Sequence, residues 1–209
     1  MPEHPTFARV YDRIIAGSER AGLADRRRAL LARASDRVLE LGAGTGLNLP
    51  HYSDQVTELI LAEPDPHMAK RLRARLAAEG ASAGRAEVIE APAEELPFDD
   101  GNFDAVVSTL VFCTVDDPVR ALAEARRVLI GGGSLLFLEH VRSDSRLRGW
   151  FQDRLERPWG FFAGGCHPNR DTTAAIADAG FRIEQLDQEQ FPKGGPVVQP
   201  LTVGVARRP

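Results

Sequence analysis

Short apolar runs alternate along this chain with segments whose apolar residues recur at helical spacing. Each run has the length of a strand and is bounded by polar, glycine or proline residues, so we predict strands there. The first five predicted strands are residues 37–41, 58–62, 86–90, 103–110 and 134–139. Helical patterns lie between most of them, and this alternation predicts an α/β fold with a mostly parallel sheet and helices on both faces.

Two helices between these strands begin with the same capping signal. In each, an aspartate stands directly before a proline, which suits an N-cap followed by the first helical position. The two pairs are Asp65-Pro66 and Asp117-Pro118. We predict that the first helix ends at Gly80 and the second at glycines 131–133. The predicted buried face of the second helix is Val119, Leu122, Val128 and Leu129.

The pattern changes after the fifth strand. Residues 146–159 form an aromatic and basic helical segment, and a loop follows at residues 160–169. A helix at residues 171–179 is predicted to end at Gly180. The last two predicted strands are residues 181–190 and 201–206.

Two helical segments precede the first strand. In the first, apolar residues recur at helical spacing at Phe7, Val10, Tyr11, Ile14 and Ile15. The second, residues 25–34, carries Arg26, Arg27, Arg28 and Arg33. We interpret these arginines as a solvated helix face. The alternative is a patch that touches a membrane surface or an anionic substrate.

Composition narrows the function classes. The chain has 209 residues, enough for one domain of ordinary size, and its net charge of -4 argues against a nucleic-acid partner. Two cysteines, Cys113 and Cys166, supply neither a disulfide framework nor a zinc site, so we expect no metal. No apolar run approaches the roughly 20 residues that span a bilayer, and the N-terminus lacks a secretory signal. We therefore expect a cytoplasmic protein.

The run VLELGAGTG at residues 38–46 is a short buried strand followed at once by a glycine-rich turn. Glycine reaches backbone angles closed to other residues and lets a ligand approach the main chain. A strand that enters such a turn and then a helix indicates a nucleotide cradle. The dinucleotide pattern G-x-G-x-x-G would require glycine at position 47, where this chain has Leu47. That difference argues against an NAD-dependent oxidoreductase.

An acid stands at the end of the second predicted strand. Glu63 lies 21 positions after Gly42, and a carboxylate at that spacing can accept hydrogen bonds from both hydroxyls of a ribose. The alternative is an exposed loop acid before a proline. Ligands of an open parallel sheet bind at the carboxyl ends of its strands. The residues predicted at those ends are 40–46, 63, 90–94, 109–113, 139 and 140.

Several segments together resemble class I S-adenosylmethionine-dependent methyltransferases. They are VLELGAGTG, Glu63, AEELPF, FDAVVSTLVF and EARRVLIGGGSLLFLEH, within about residues 36–141. VVSTLVFCTV, FLEHV and GCHPNR look like the small-molecule thiol methyltransferases, and FARVYD looks like the ubiquinone/menaquinone and phospholipid methyltransferases. The resemblance implies a Rossmann-like, doubly wound sheet of seven strands, mostly parallel with the last strand antiparallel. It also implies a methyltransferase domain at residues 37–209, capped over the active site by helical residues 1–36.

The resemblance implies that the cofactor is S-adenosylmethionine, and it implies a role for each matching residue. Gly42, Gly44 and Gly46 would let the backbone pack against the methionine and ribose portions of the cofactor. Glu40 would bear on the methionine ammonium group, directly or through water. Glu63 would hold the ribose.

The adenine end of the implied site departs from the family in one position. Ala93 and Glu94 lie where the family contacts adenine, but Pro92 stands where the family often has an acid that receives the adenine amino group. That role would pass to Glu94 or to a backbone carbonyl. The other implied cofactor-binding residues are Pro64, Thr109 and Leu110 at the sulfonium, and Tyr11 over the pocket, with no separate role implied for Pro64.

The acceptor site is expected after the fourth and fifth strands. His140 is the best candidate for a catalytic base, because histidine as a residue type ordinarily titrates near working pH and this one follows the fifth predicted strand. A hydrogen-bonded loop histidine is the alternative, and His167 is a weaker candidate for the substrate site. Cys113 is expected to line the pocket, and Cys166 has no visible chemical partner.

Aromatic residues cluster after the fifth strand at Trp150, Phe151, Trp159, Phe161 and Phe162. They belong to the core or form an apolar lid, and a lid favours a small apolar acceptor. Arg154, Arg157 and Arg170 are solvated or hold an anionic group. We expect a lipophilic thiol as the methyl acceptor, and a quinone precursor or a phospholipid headgroup are the less favoured alternatives. Peripheral contact with a membrane is compatible with these acceptors. A non-catalytic module that binds S-adenosylmethionine is the alternative.

Overall fold

The computed structural model describes residues 5–79 and 84–209 of the chain. Its α-helices are α1 Pro5–Ser18, α2 Ala24–Leu31, α3 Pro66–Ala78, α4 Pro118–Val128, α5 Arg146–Phe162 and α6 Thr172–Asp178. Its strands are β1 Asp36–Leu41, β2 Val56–Ala62, β3 Ala86–Ile89, β4 Phe103–Thr109, β5 Leu129–His140, β6 Arg182–Glu189 and β7 Leu201–Arg207. The predicted helix end at Gly80 lies outside the described residues.

The seven strands form one sheet in the order β3-β2-β1-β4-β5-β7-β6. The pairs among β1 to β5 are parallel, whereas β7 is antiparallel to both β5 and β6. This confirms the predicted doubly wound, Rossmann-like sheet with its last strand antiparallel. Strand order reverses between β1 and β4, which places a ligand crevice at their carboxyl ends.

Two apolar cores cover the two faces of the sheet. Leu39 and Leu41 of β1 pack into one core and Val38 packs into the other, because successive side chains of a strand point to opposite faces. Glu40 therefore shares the face of Val38, and Tyr52 belongs to the core on that side. A carboxylate that is buried on this face of the sheet requires polar partners for its oxygen atoms.

Both predicted helix caps are confirmed. The Asp65 carboxylate accepts hydrogen bonds from the backbone N–H groups of His67 at 2.7 Å and Met68 at 3.3 Å. The Asp117 carboxylate accepts from Val119 and Arg120, each at 3.0 Å. These caps were predictable because capping depends on a few neighbouring residues.

The predicted end of α4 at glycines 131–133 is wrong. The helix ends at Val128 and β5 begins at the next residue, so the glycines lie in a strand whose register shifts near its start. Gly132 has a φ of 79°, and its N–H donates to the carbonyl of Arg208 at 2.9 Å. The glycines serve a bulged strand end, where a left-handed residue is tolerated, rather than a helix end.

Val119 is not part of the buried face of α4, contrary to the prediction. Its side chain is 71% exposed, while Ala121, Leu122, Ala125 and Val128 are buried. At about 100° per residue, Val119 lies about 60° beyond Leu122, on the side away from the other buried positions. Leu129 is buried as predicted, but as the first residue of β5.

Helix α5 continues to Phe162, three residues past its predicted end, and Pro158 lies within it. The buried Gln152 side chain holds this helix to the rest of the molecule. It accepts from the Ser143 N–H at 2.8 Å and donates to the Pro168 and Val197 carbonyls, each at 3.0 Å. Through these bonds α5 is held beside the carboxyl end of β5.

Candidate active site

A cavity of about 330 Å³ opens at the carboxyl ends of the parallel strands. Its floor is lined by residues that follow β1, β2 and β4, including Gly42, Glu63 and Leu110, and by His140 at the end of β5. Helices α1 and α5 and the segment before β7 close it from above. Their lining residues include Phe7, Tyr11, Ile14, Ile15, Trp159, Phe162, Phe191 and Val198. The cavity is therefore polar at the sheet edge and apolar where the helices cover it.

The glycine turn after β1 presents its backbone to this cavity. Gly44 has a φ of 58°, and a Cβ there would meet only the Gly42 carbonyl oxygen, at 3.9 Å. The space in front of Gly44 is thus open to a ligand. A Cβ on Gly46 would lie 2.8 Å from Leu72 and 2.9 Å from Leu49, so Gly46 is needed for packing of the turn and does not line the cavity.

Glu63 follows β2 and is buried, so it is not the exposed loop acid of the alternative interpretation. One carboxylate oxygen accepts from the Gly44 N–H at 2.7 Å and the other from the Asp65 N–H at 2.9 Å. Burial raises the pKa of Glu63 to about 7, although the two hydrogen bonds favour the charged form and by themselves lower the pKa. The carboxylate is aimed at the cavity beside the glycine turn, and Pro64 lines the cavity next to it.

Glu40 lies behind the glycine turn rather than on the main cavity. Its carboxylate accepts from the Asn48 side-chain amide at 2.9 Å and from the Tyr52 hydroxyl at 2.7 Å. Burial raises the pKa of Glu40 to about 7. Glu40 and Thr109 line a second space of about 20 Å³, which suits one water molecule and also touches Gly44.

The interpretation of the N-terminal arginines as a solvated face is wrong for Arg27. Its side chain is 2% exposed and donates to the Asn48 amide oxygen at 2.9 Å and to the Thr109 hydroxyl at 2.8 Å. It also forms an ion pair with Glu19 at 3.1 Å. Arg27 thereby ties α2 to the polar residues around Glu40. Its neighbour Arg28 is exposed, as expected.

At the far end of the cavity, Ala93 and Glu94 line the wall as the sequence suggested. One oxygen of Glu94 accepts from the backbone N–H groups of Asp116 at 2.8 Å and Asp117 at 3.2 Å. Glu94 therefore also holds the loop that leads into α4. Leu110, with a φ of 61°, turns the chain out of β4 and lines the cavity.

Helix α1 covers the glycine turn. Tyr11 lines both the main cavity and the smaller space, and burial raises its pKa to about 12. The next residue, Asp12, accepts from the Thr45 hydroxyl and forms ion pairs with Arg71 at 3.1 Å and Arg75 at 3.0 Å. Sequence reasoning missed Asp12, because an acid on an amphipathic helix carries no local sign of its distant partners.

His140, Cys113 and Cys166 meet at the end of the cavity beside Trp159 of α5. The His140 Nε2 atom lies 3.0 Å from the Cys166 Sγ atom, and the Trp159 indole N–H donates to the same sulfur at 3.3 Å. A hydrogen bond with Cys113, assisted by His140, lowers the pKa of Cys166, and the same bond raises the pKa of Cys113. The expectation that Cys166 has no chemical partner is therefore wrong.

The remaining acceptor-site candidates lie apart from this cluster. His167 hydrogen-bonds Glu156 at 2.9 Å and does not line the cavity. Arg170 donates to two backbone carbonyls at 2.7 Å, so it has a structural role. Among the aromatic residues of this segment, Trp159 and Phe162 line the cavity. The other three are exposed and do not line it: Trp150, Phe151 and Phe161.

Known proteins with similar sequences support a single family. Residues 39–137 match the model of a methyltransferase domain. The thiol S-methyltransferase TMT1B of Homo sapiens is 35% identical over 84% of this chain and 73% of its own length. A phosphatidylethanolamine N-methyltransferase of Cereibacter sphaeroides is 30% identical over 76% of this chain and 75% of its own length.

A solved structure shows the same fold. An S-adenosylmethionine-dependent methyltransferase of Thermotoga maritima superposes with a TM-score of 0.72 at 23% identity, over 98% of this chain and 97% of that one. Among the residues that the structure describes, no helix is both long and apolar enough to cross a membrane. Fold, family match and relatives agree, and the chain belongs to the S-adenosylmethionine-dependent methyltransferases.

Proposed function

We propose that this enzyme transfers the methyl group of S-adenosylmethionine to the sulfur of a small lipophilic thiol. The observation that carries the proposal is a single cavity with two unlike ends. One end has an open glycine turn beside a buried carboxylate, and the other is apolar and contains the cluster of Cys113, His140 and Cys166. The relative named a thiol S-methyltransferase supports the choice of acceptor.

The residues at the first end fit the cofactor. The space in front of Gly44 admits a ligand against the backbone, and Gly42 lines the same wall. We propose that Glu63 accepts from the ribose hydroxyls, because a carboxylate has about four acceptor positions and two are in use here. Glu40 would act on the ammonium group through the small water-sized space that it lines.

Further residues extend this proposed cofactor site. Ala93, Glu94 and Pro64 line the wall assigned to adenine and ribose. Pro92 offers no acceptor for the adenine amino group, so that role falls to Glu94 or a backbone carbonyl. We propose that Leu110 and Thr109 lie at the sulfonium and that Tyr11 closes the cavity from α1.

The protein contributes alignment, exclusion of water and removal of a proton. The bound cofactor supplies a methyl group already activated by a positive sulfur. Alignment of an acceptor in an enclosed site can contribute roughly 7–11 kcal/mol. As the acceptor sulfur forms its bond to the methyl carbon, the carbon–sulfonium bond breaks, and the thiol proton must leave. We propose His140 as the catalytic residue that takes this proton at its ring nitrogen.

A panel of acceptors tests this function. The purified enzyme would be incubated with methyl-labelled S-adenosylmethionine and a lipophilic thiol, a quinol or vesicles of phosphatidylethanolamine. We expect label in the thiol product, with much less in the others. His140→Asn should slow transfer by about 10²–10⁴-fold, the contribution of a positioned base, whereas the matched variant His167→Asn should be nearly as active as the wild type.

Other results of the panel would contradict the proposal in distinct ways. Turnover only with quinol or phospholipid would show that the acceptor is wrong and leave the methyltransferase intact. Cofactor binding without turnover on any class would favour the non-catalytic binding module. Equal loss of activity in both histidine variants would remove the specific role of His140.

We expect the affinity for S-adenosylmethionine to rise about tenfold between about pH 6 and about pH 8. Burial raises the pKa of Glu63 to about 7, and the ionised carboxylate is the stronger acceptor for ribose hydroxyls. Below that pKa a proton must leave before the ribose binds, so affinity falls as pH falls. Calorimetric titration across this range measures the effect.

Glu63→Gln separates the contribution of Glu63 from that of Glu40, whose pKa burial also raises to about 7. The variant should lose the part of the pH dependence that belongs to Glu63. A flat wild-type profile, or a profile that this variant leaves unchanged, would contradict the proposed ribose contact.

A further inference from the structure

Three metal-ligating side chains converge at the acceptor end of the cavity from distant parts of the chain. Cys113 follows β4, His140 ends β5, and Cys166 lies in the loop after α5. All three are buried, and one ligand atom from each lies within 4.8 Å of the others. Within residues 5–79 and 84–209, this is the one cluster of histidine, cysteine or acidic residues with such spacing.

We propose that Cys113, His140 and Cys166 bind one zinc ion, with its fourth position open to the cavity. Two sulfurs and one imidazole nitrogen are a ligand set found in catalytic zinc sites. With Zn–S bonds of about 2.3 Å and Zn–N bonds of about 2.0–2.1 Å, tetrahedral ligand atoms lie roughly 3.5–3.8 Å apart. The separation of 3.0 Å between His140 Nε2 and Cys166 Sγ needs only about half an ångström of side-chain adjustment.

The surroundings of the cluster suit a metal-thiolate site. The Trp159 N–H donates to Cys166 Sγ, and the backbone N–H of His167 donates to the Cys113 carbonyl at 2.7 Å, which holds the loop against the end of β4. Two thiolates neutralise a divalent ion, so the loaded site carries no net charge into the apolar cavity.

This inference rests on the proposed methylation of a thiol and replaces one part of it, the way in which the thiol proton is removed. The open position faces the space assigned to the acceptor, so the acceptor thiol would bind there as a thiolate. A metal deprotonates a coordinating thiol outright, and the proton passes to water. His140 would then be a ligand rather than the base that takes the proton. The zinc ion enters from solution, and the two cysteines must be reduced to bind it.

Cobalt titration of the reduced, metal-free enzyme tests the site. Cobalt in a tetrahedral site with cysteine ligands shows a sulfur-to-metal charge-transfer band and intense visible bands. We expect both with one equivalent of cobalt, and their loss in Cys113→Ser, Cys166→Ser and His140→Ala. The matched variant His167→Ala should keep them. Added lipophilic thiol should shift the visible bands by filling the fourth position.

Trp159→Phe supplies a second measurement, since loss of the hydrogen bond to Cys166 should weaken cobalt binding by about tenfold. Calorimetric titration with S-adenosylmethionine checks that each variant is folded. The absence of the charge-transfer band in the folded wild type, or its persistence in both cysteine variants, would overturn the metal site. If thiol methylation persisted without bound metal and still required His140, the proposed function would stand and the zinc site would be wrong.

Discussion

Arg27→Ala is expected to lower the free energy of unfolding by about 3–5 kcal/mol, the range for breaking a buried ion pair from one side. The substitution leaves Glu19 without its cation and removes the donor to Asn48 and Thr109. It also opens a void where the 2% exposed side chain lay. Urea denaturation followed by circular dichroism measures the change.

The neighbouring arginine is a matched control. Arg28 is 63% exposed and pairs with Asp25, which is 71% exposed, so Arg28→Ala should change stability by less than about 0.5 kcal/mol. Arg27→Met should fall between the two, because it refills part of the volume without restoring the donors. Similar stabilities for Arg27→Ala and Arg28→Ala would show that water replaces the buried guanidinium at little cost.

Glu63→Ala is expected to weaken S-adenosylmethionine binding by about 1–3 kcal/mol, roughly 5- to 150-fold. The change removes the proposed acceptor for the ribose hydroxyls. It also leaves the Gly44 and Asp65 N–H groups without their acceptor, so the glycine turn loses its anchor. Calorimetric titration at neutral pH gives the difference in affinity.

Glu90→Ala is the control for this experiment, because Glu90 follows a neighbouring strand but pairs with Arg73 at the surface. Its affinity for the cofactor should match that of the wild type. If Glu63→Ala bound as tightly as Glu90→Ala, Glu63 would have to be removed from the proposed site.

Local patterns predicted the architecture well. The parallel strands β1, β2, β4 and β5 are buried over most of their length and read as apolar runs, and the aspartate caps act within one helical turn. Since the carboxyl ends of parallel strands converge, the sequence also indicated which residues would share a cavity. Most of the predicted site residues do line the main cavity, and the exceptions are Glu40, Gly46 and Thr109.

The errors came where one local pattern suits two environments. A glycine run ends helices and also occupies bulged strand ends, and the pairing of Gly132 with Arg208 decided between them. Consecutive arginines on a polar helix look alike in sequence. Only the position of α2 against the turn after β1 buries Arg27 and leaves Arg28 in solvent.

By itself, the sequence determined the sheet, the glycine turn and the acid that follows β2, because periodicity, capping and strand ends are properties of short segments. The meeting of Cys113, His140 and Cys166 was decided by the tertiary structure. Cys166 lies 26 residues after His140, and α5 must fold back before the two side chains touch. No short pattern encodes that return, so the sequence indicated the glycine-turn end of the cavity and, at the other end, only His140 and Cys113.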